Sequence, residues 1–146
     1  MKHSILKFSI LCGLLFFFSN QWAKAQGIIG TWYNQEKTAK VQIYEAKDDH
    51  FYGKIVWLKE PNENGKPKVD KNNTDKAKQS TPLMNLLVLK HFKKKSETQY
   101  EGGTIYDPKN GKTYDCKMTL KGDKLDIRGY VKITLIGRTS TWTRAN

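Results

Sequence analysis

Eight residues of this chain have the types and spacing to build a site: Trp32, Trp57, Tyr106, Tyr114, Tyr130 and Trp142, with Arg128 and Arg144. Aromatic walls carrying a few polar tips are the chemistry of a pocket for a small amphipathic or hydrophobic ligand. The same rings would also serve as the core of a small domain, which needs large side chains. The arginines fit either use, as cations over ring faces or as hooks for a ligand carboxylate.

Catalytic chemistry finds less support. No Gly-x-Ser-x-Gly elbow occurs, and His50 and His91 have no Ser or Cys partner by spacing. Asp107, Asp115 and Asp126 are the carboxylates available for acid–base work, yet each sits in a turn or beside Lys or Arg, where turn-forming or paired surface charge is the simpler role. Asp107 with Tyr114 or Arg128 is the combination that would suit a small hydrolase or isomerase. Two histidines on different strands and one distant cysteine make no zinc set. The run Asp70-Lys71-Asn72-Asn73-Thr74-Asp75 is interleaved with lysine and lacks the Gly and Glu of a calcium loop. No metal and no cofactor are expected.

The elements that must position these residues are strands. Apolar and polar residues alternate with period two over 30–35, 39–46, 50–59, 99–106, 112–120, 124–131 and 138–144, and 86–92 is apolar and β-compatible, with a short helix as the alternative there. Between 112 and 120, Tyr114, Cys116, Met118 and Leu120 point one way, with Thr113, Asp115, Lys117 and Thr119 on the other face. Turn signals at 47–49, 107–111 and 121–123 join neighbours directly. Eight consecutive antiparallel strands predict an all-β fold, an up-and-down barrel of eight strands, because closure removes exposed edges. A two-sheet β-sandwich is the alternative. A barrel of eight strands is just filled by side chains or holds one small ligand. The six aromatics lie on six different strands, so closure would gather several of them. One stretch has no such pattern: 60–81, rich in Lys, Asn, Pro and Gly, reads as a functional loop or a flexible crossover without structure.

Composition sets the compartment. Residues 1–25 carry Lys2, Lys7 and Lys24, no acid, an apolar run over 8–18 and the small-residue exit Ala23-Lys24-Ala25. This is the pattern of a signal peptide, with an apolar stretch too short to span a bilayer. Residues 26–146 then form a single domain, and the formal net charge of +12 falls to +9 once the three leader lysines are set aside. Cys116 is the one cysteine outside the leader, so it has no disulfide partner and reads as a small buried apolar residue. The lysines are spread over many turns, clustered only at Lys93-Lys94-Lys95, and no RNA-binding signature occurs. Attraction to an anionic envelope surface explains the charge better than nucleic acid.

Two resemblances follow from ordered residues. Gly30-x-Trp32 on the first strand with Arg144 on the last is similar to the calycin pattern of lipocalins and their relatives, which implies that Arg144 packs across Trp32 and closes the barrel. A broader set resembles the DUF2147 family of small exported bacterial proteins: Gly30-Thr31-Trp32, Gly53-Lys54-Ile55-Val56-Trp57-Leu58, Gly103-Thr104-Ile105-Tyr106-Asp107-Pro108, Gly111-Lys112-Thr113-Tyr114, Leu125-Asp126-Ile127-Arg128-Gly129-Tyr130, and Gly137-Arg138 with Thr141-Trp142-Thr143-Arg144. An Asp…Asn-Pro-Asp segment of that family is matched by Asp70, Asn73 and Asp75, with Thr74 in place of the proline. The resemblance implies a barrel and a periplasmic or extracellular bacterial location, and it transfers no activity. The expected function is non-enzymatic binding of a small amphipathic or hydrophobic ligand in the barrel. The alternatives are a protein- or glycan-interaction module using the exterior and the 60–81 loop, and a small hydrolase or isomerase.

Overall fold

The computed structural model describes residues 27–145, and only the backbone of 133–135. The signal peptide expected at 1–25 lies outside the described residues. The strands in chain order are β1 (Gly30–Tyr33), β2 (Ala39–Glu45), β3 (Phe51–Leu58), β4 (Asn62–Glu63), β5 (Lys66–Pro67), β6 (Leu87–Lys94), β7 (Gln99–Asp107), β8 (Lys112–Lys121), β9 (Lys124–Val131) and β10 (Ile133–Arg144). Eight of them close into a barrel in which chain neighbours pair antiparallel, β3 next to β6, and β10 returns to β1. The closing register sets Trp32 opposite Arg144 and Tyr33 opposite Thr143. The up-and-down barrel is therefore the fold, and the sandwich is not.

Alternation fills the interior as the residue types dictate. On β8, Cys116 and Met118 are buried while Asp115 is exposed, and on β10 Trp142 is buried. Phe92 lies against the β7 backbone, and this close approach requires Gly103: a Cβ there would sit 2.5 Å from the Phe92 ring and 2.6 Å from the Lys90 carbonyl oxygen. Burial pushes the Cys116 thiol up to about 12. Since the thiolate is the reactive form, a disulfide reagent at pH 8 is expected to leave folded 26–146 unlabelled and to label it fully in denaturant. Rapid labelling of the folded protein would mean that this strand face is open.

One end of the barrel is plugged. Residues 27–29 cross it, Ile28 is fully buried, and the Trp32 indole N–H donates to the Ile28 carbonyl at 2.8 Å. The Arg144 guanidinium lies 4.2 Å from the Trp32 ring centroid and donates to the carbonyls of Gly27 (2.9 Å) and Ile29 (3.2 Å). The connections β1–β2, β3–β6, β7–β8 and β9–β10 all lie at the opposite end.

The structure corrects three expectations of the sequence. The 60–81 segment is ordered: it holds the β4–β5 hairpin and a 3-10 turn over Lys76–Lys78, whose first turn is capped by the Asp75 carboxylate accepting from the Ala77 N–H at 3.0 Å. β6 runs on through Lys93 and Lys94, two residues past the apolar stretch read at 86–92. β10 begins at Ile133, five residues before the alternation becomes readable.

On the outer wall, Asp126 accepts from Lys121 Nζ at 2.6 Å and from the Thr141 hydroxyl at 2.7 Å. Lys121 first, then Thr141, hold its carboxyl below the usual 3.8. A carboxylate lowered on folding adds stability above its unfolded value and loses it as pH falls through the folded one. Asp126→Asn is therefore expected to lose less stability than the native chain below about pH 4, which acid titration followed by circular dichroism would read.

Candidate functional site

The open end leads into a cavity of about 960 Å³. Val41, Ile55, Val88, Ile127 and Trp142 form its apolar depth, and Ile105, Tyr106 and Tyr114 line one wall. The rim is polar, with Glu36, Lys59, Lys68, Asp107, Lys109 and Arg138. Apolar depth under a polar rim suits a molecule with an apolar body and a polar end, and the volume falls in the range of small-molecule pockets.

The eight residues singled out from the sequence separate into three groups. Tyr106, Tyr114, Tyr130 and Trp142 line the cavity. Trp32 and Arg144 do not: they form the plug at the far end, in the contact that the calycin pattern implies. Trp57 and Arg128 lie outside the barrel. Simple alternation from Phe51 through Gly53 and Ile55 would turn Trp57 inward, but Lys40 pairs with Trp57 while Val41 pairs with Ile55, so two residues of β3 oppose one of β2. This bulge reverses the parity. Leu58 then lines the cavity, and Trp57 packs edge-on against Tyr33 with centroids 6.0 Å apart, Lys40 Nζ lying 5.4 Å from the Trp57 centroid. Arg128 follows the inward Ile127 and faces out, its Nη1 donating to the Thr139 hydroxyl at 3.1 Å.

A residue of the 60–81 segment completes the site, one that composition and periodicity do not mark. Asp70 is 1% exposed, the only buried charged residue among those described. The Tyr106 hydroxyl donates to its carboxylate, 2.7 and 2.8 Å from the two oxygens, and the Asn73 amide donates to the same group at 2.7 Å. Burial, and then the bond to Asp70, push the Tyr106 hydroxyl up to about 12, so it stays a donor throughout the neutral range. Two residues on, the Asn72 amide donates to the carbonyls of Pro108 and Lys109, both at 3.1 Å. Gly111 lies beneath this contact with φ +70°, and a Cβ there would meet the Asn72 carbonyl oxygen at 1.8 Å. The segment is thus clamped onto the β7–β8 hairpin, and Lys68 and Leu83 become cavity wall. The signal that points to this clamp is the match of Asp70 and Asn73 to the family's loop segment, read together with the Tyr106-Asp107-Pro108 and Gly111 blocks.

No catalytic set assembles from Asp107, Tyr114 and Arg128. Asp107 accepts from the Lys109 N–H at 2.9 Å, as a turn residue does, and the Tyr114 hydroxyl accepts from the Asn110 amide at 2.9 Å. Arg128 is on the other side of the wall. Among the described residues no three His, Cys, Asp or Glu side chains converge to hold a metal ion, and no helix is long and apolar enough to cross a membrane.

Comparison with known proteins agrees with the architecture. The fold is similar to that of a solved protein from the human pathogen Helicobacter pylori, described as belonging to the lipocalin family, with TM-score 0.70 and 23% identity over 81% of this chain and 82% of that one. At that identity the likeness is one of fold. No curated protein matches the sequence. Residues 30–144 match the profile of DUF2147, described as uncharacterized protein conserved in bacteria, and the chain belongs to that family.

Proposed function

We propose that this is an exported bacterial binding protein that holds a small amphipathic or hydrophobic molecule in its barrel, apolar part inward and polar end at the rim. The observation that carries the reading is the cavity of about 960 Å³, with its apolar depth and single plugged end. The basic, apolar 1–25 segment supports export to the periplasm or beyond. A free interaction arm at 60–81 has less support, because that segment is seated against the barrel and forms part of the cavity wall.

Gly129 supplies the test. It lines the cavity, and a Cβ there would meet only ordinary contacts, Ile105 Cγ2 at 3.4 Å and Tyr114 Cβ at 3.6 Å. Gly129→Phe should place a ring in the cavity and narrow it while the ladder persists. Native mass spectrometry of protein purified from its own host is expected to show the mass of 26–146 plus a reproducible extra mass that disappears on denaturation. The Gly129→Phe variant should carry much less of that extra mass and keep a melting temperature within a few degrees of the native value. A bare native mass, or an undiminished extra mass in the Gly129→Phe variant, would overturn the reading.

A further inference from the structure

We propose that the β9–β10 tip is a docking element for an anionic lipid bilayer, which would place the cavity mouth against the membrane. The other short connections of the barrel are polar: 34–38, Lys47-Asp48-Asp49, Lys95-Ser96-Glu97, Pro108-Lys109-Asn110 and Lys121-Gly122-Asp123. The β9–β10 tip reads Val131-Lys132-Ile133-Thr134-Leu135-Ile136. Val131 is 51% exposed and Ile136 63%, the two most exposed large hydrophobic residues among those described, and both border the cavity mouth. Adjacent apolar exposure of this kind marks an interaction surface.

The backbone presents the tip outward. Val131 pairs with Ile133, and pairing resumes only at Tyr130 with Gly137, so 134–136 have no ladder partner on β9. Gly137 pins the base of this bulge, since a Cβ there would sit 2.4 Å from the Gly129 carbonyl oxygen. Lys132 takes φ +64° and turns the chain at the tip.

The charge around the tip selects the partner. Lys59, Lys68, Lys109 and Arg138 surround the mouth and Lys132 sits in the tip itself, with Glu36, Glu60 and Asp107 as the acids of the mouth. Glu60 lies 3.5 Å from Lys68, Glu36 lies 4.0 Å from Lys109, and Asp107 is engaged by the turn. Lys59, Lys132 and Arg138 have no carboxylate partner among the described residues. An apolar tip within a collar of cations matches a membrane interface, where apolar side chains enter the acyl boundary and Lys or Arg meet lipid phosphates. A second copy of the chain would bring the same cations to the contact, so self-association through the tip is opposed by charge.

Vesicle sedimentation tests this with phosphatidylcholine alone and with phosphatidylcholine mixed with phosphatidylglycerol. The protein is expected to partition onto the mixed vesicles only, less so as salt rises, and the Val131→Ser/Ile136→Ser variant to partition about tenfold more weakly. The melting temperature of that variant should be unchanged, which separates lost docking from lost folding. Gly129→Phe should bind the mixed vesicles as the native protein does, so this proposal and ligand binding can fail separately. Equal partition of the double-serine variant, or equal binding to neutral vesicles, would overturn the proposal. A native dimer in sedimentation equilibrium that the same variant dissociates would assign the tip to self-association and overturn it as well.

Discussion

Trp32→Ala is expected to destabilise the barrel by about 3–5 kcal/mol, the usual cost of deleting a large buried aromatic. For a domain of this length that corresponds to a fall in melting temperature of roughly 10–20 °C. Three losses coincide at this position. The ring is fully buried, so its removal leaves a cavity at the plugged end. The Ile28 carbonyl loses its 2.8 Å donor. The Arg144 guanidinium loses the ring 4.2 Å away while still holding residues 27 and 29. Two milder variants apportion the total. Trp32→Phe keeps a ring but leaves the Ile28 carbonyl buried without a partner, which costs about 1–3 kcal/mol. Arg144→Met keeps the stem of the side chain and removes the cation, about 0.5–2 kcal/mol for the ring contact alone. Thermal melts give the order directly. A drop of only a degree or two for Trp32→Ala would mean that the plug closes nothing, and the resemblance to calycins would then lose its physical content.

Those variants probe the part of the molecule that is most legible from sequence. A buried strand face is a local statement: Tyr114, Cys116 and Met118 recur every second residue, and one register satisfies all of them. The same logic misplaces Trp57. Whether a bulge interrupts β3 is decided by its pairing with β2, where Val56 and Trp57 together oppose Lys40. No residue in the run 51–58 announces that event, because Gly53 marks the close approach of Leu89 and not the bulge. Arg128 joins the candidate pocket by residue type alone, although the alternation through Leu125 and Ile127 already turns it outward. For the 60–81 segment, composition records that its residues are polar and says nothing about a partner 36 residues away. A carboxylate buried by a distant tyrosine leaves no period, and the match of Asp70 and Asn73 to the family's loop segment marks these residues without naming their partner.

That distant contact makes the second large prediction. Asp70→Ala is expected to release the 60–81 segment from the barrel without unfolding the strands. The Tyr106 hydroxyl and the Asn73 amide each lose an acceptor, at about 1–3 kcal/mol for each group that stays buried. The barrel's own ladders do not pass through the segment: β3 pairs with β6 directly, Phe51 opposite Phe92. The readout is limited trypsin digestion, since Lys68, Lys71, Lys76 and Lys78 are all in the released stretch and none of them precedes a proline. Native protein should resist cleavage there, and Asp70→Ala should be cut rapidly while far-ultraviolet circular dichroism stays that of a β protein. Gly111→Ala should give the same cleavage from the opposite partner, because its Cβ would meet the Asn72 carbonyl oxygen at 1.8 Å and its φ is +70°. Tyr106→Phe leaves the Asp70 carboxylate with the Asn73 donor, and combined with Asp70→Ala it should cost less than the sum of the two, as coupled partners do. Equal trypsin resistance in all of these variants would show that β4–β5 and the 3-10 turn hold the segment by themselves. Rapid cleavage in Asp70→Ala and Gly111→Ala alike would establish that one clamp sets the cavity wall, since the two positions act on the same segment through different physics: a missing acceptor on one side and an occupied space on the other.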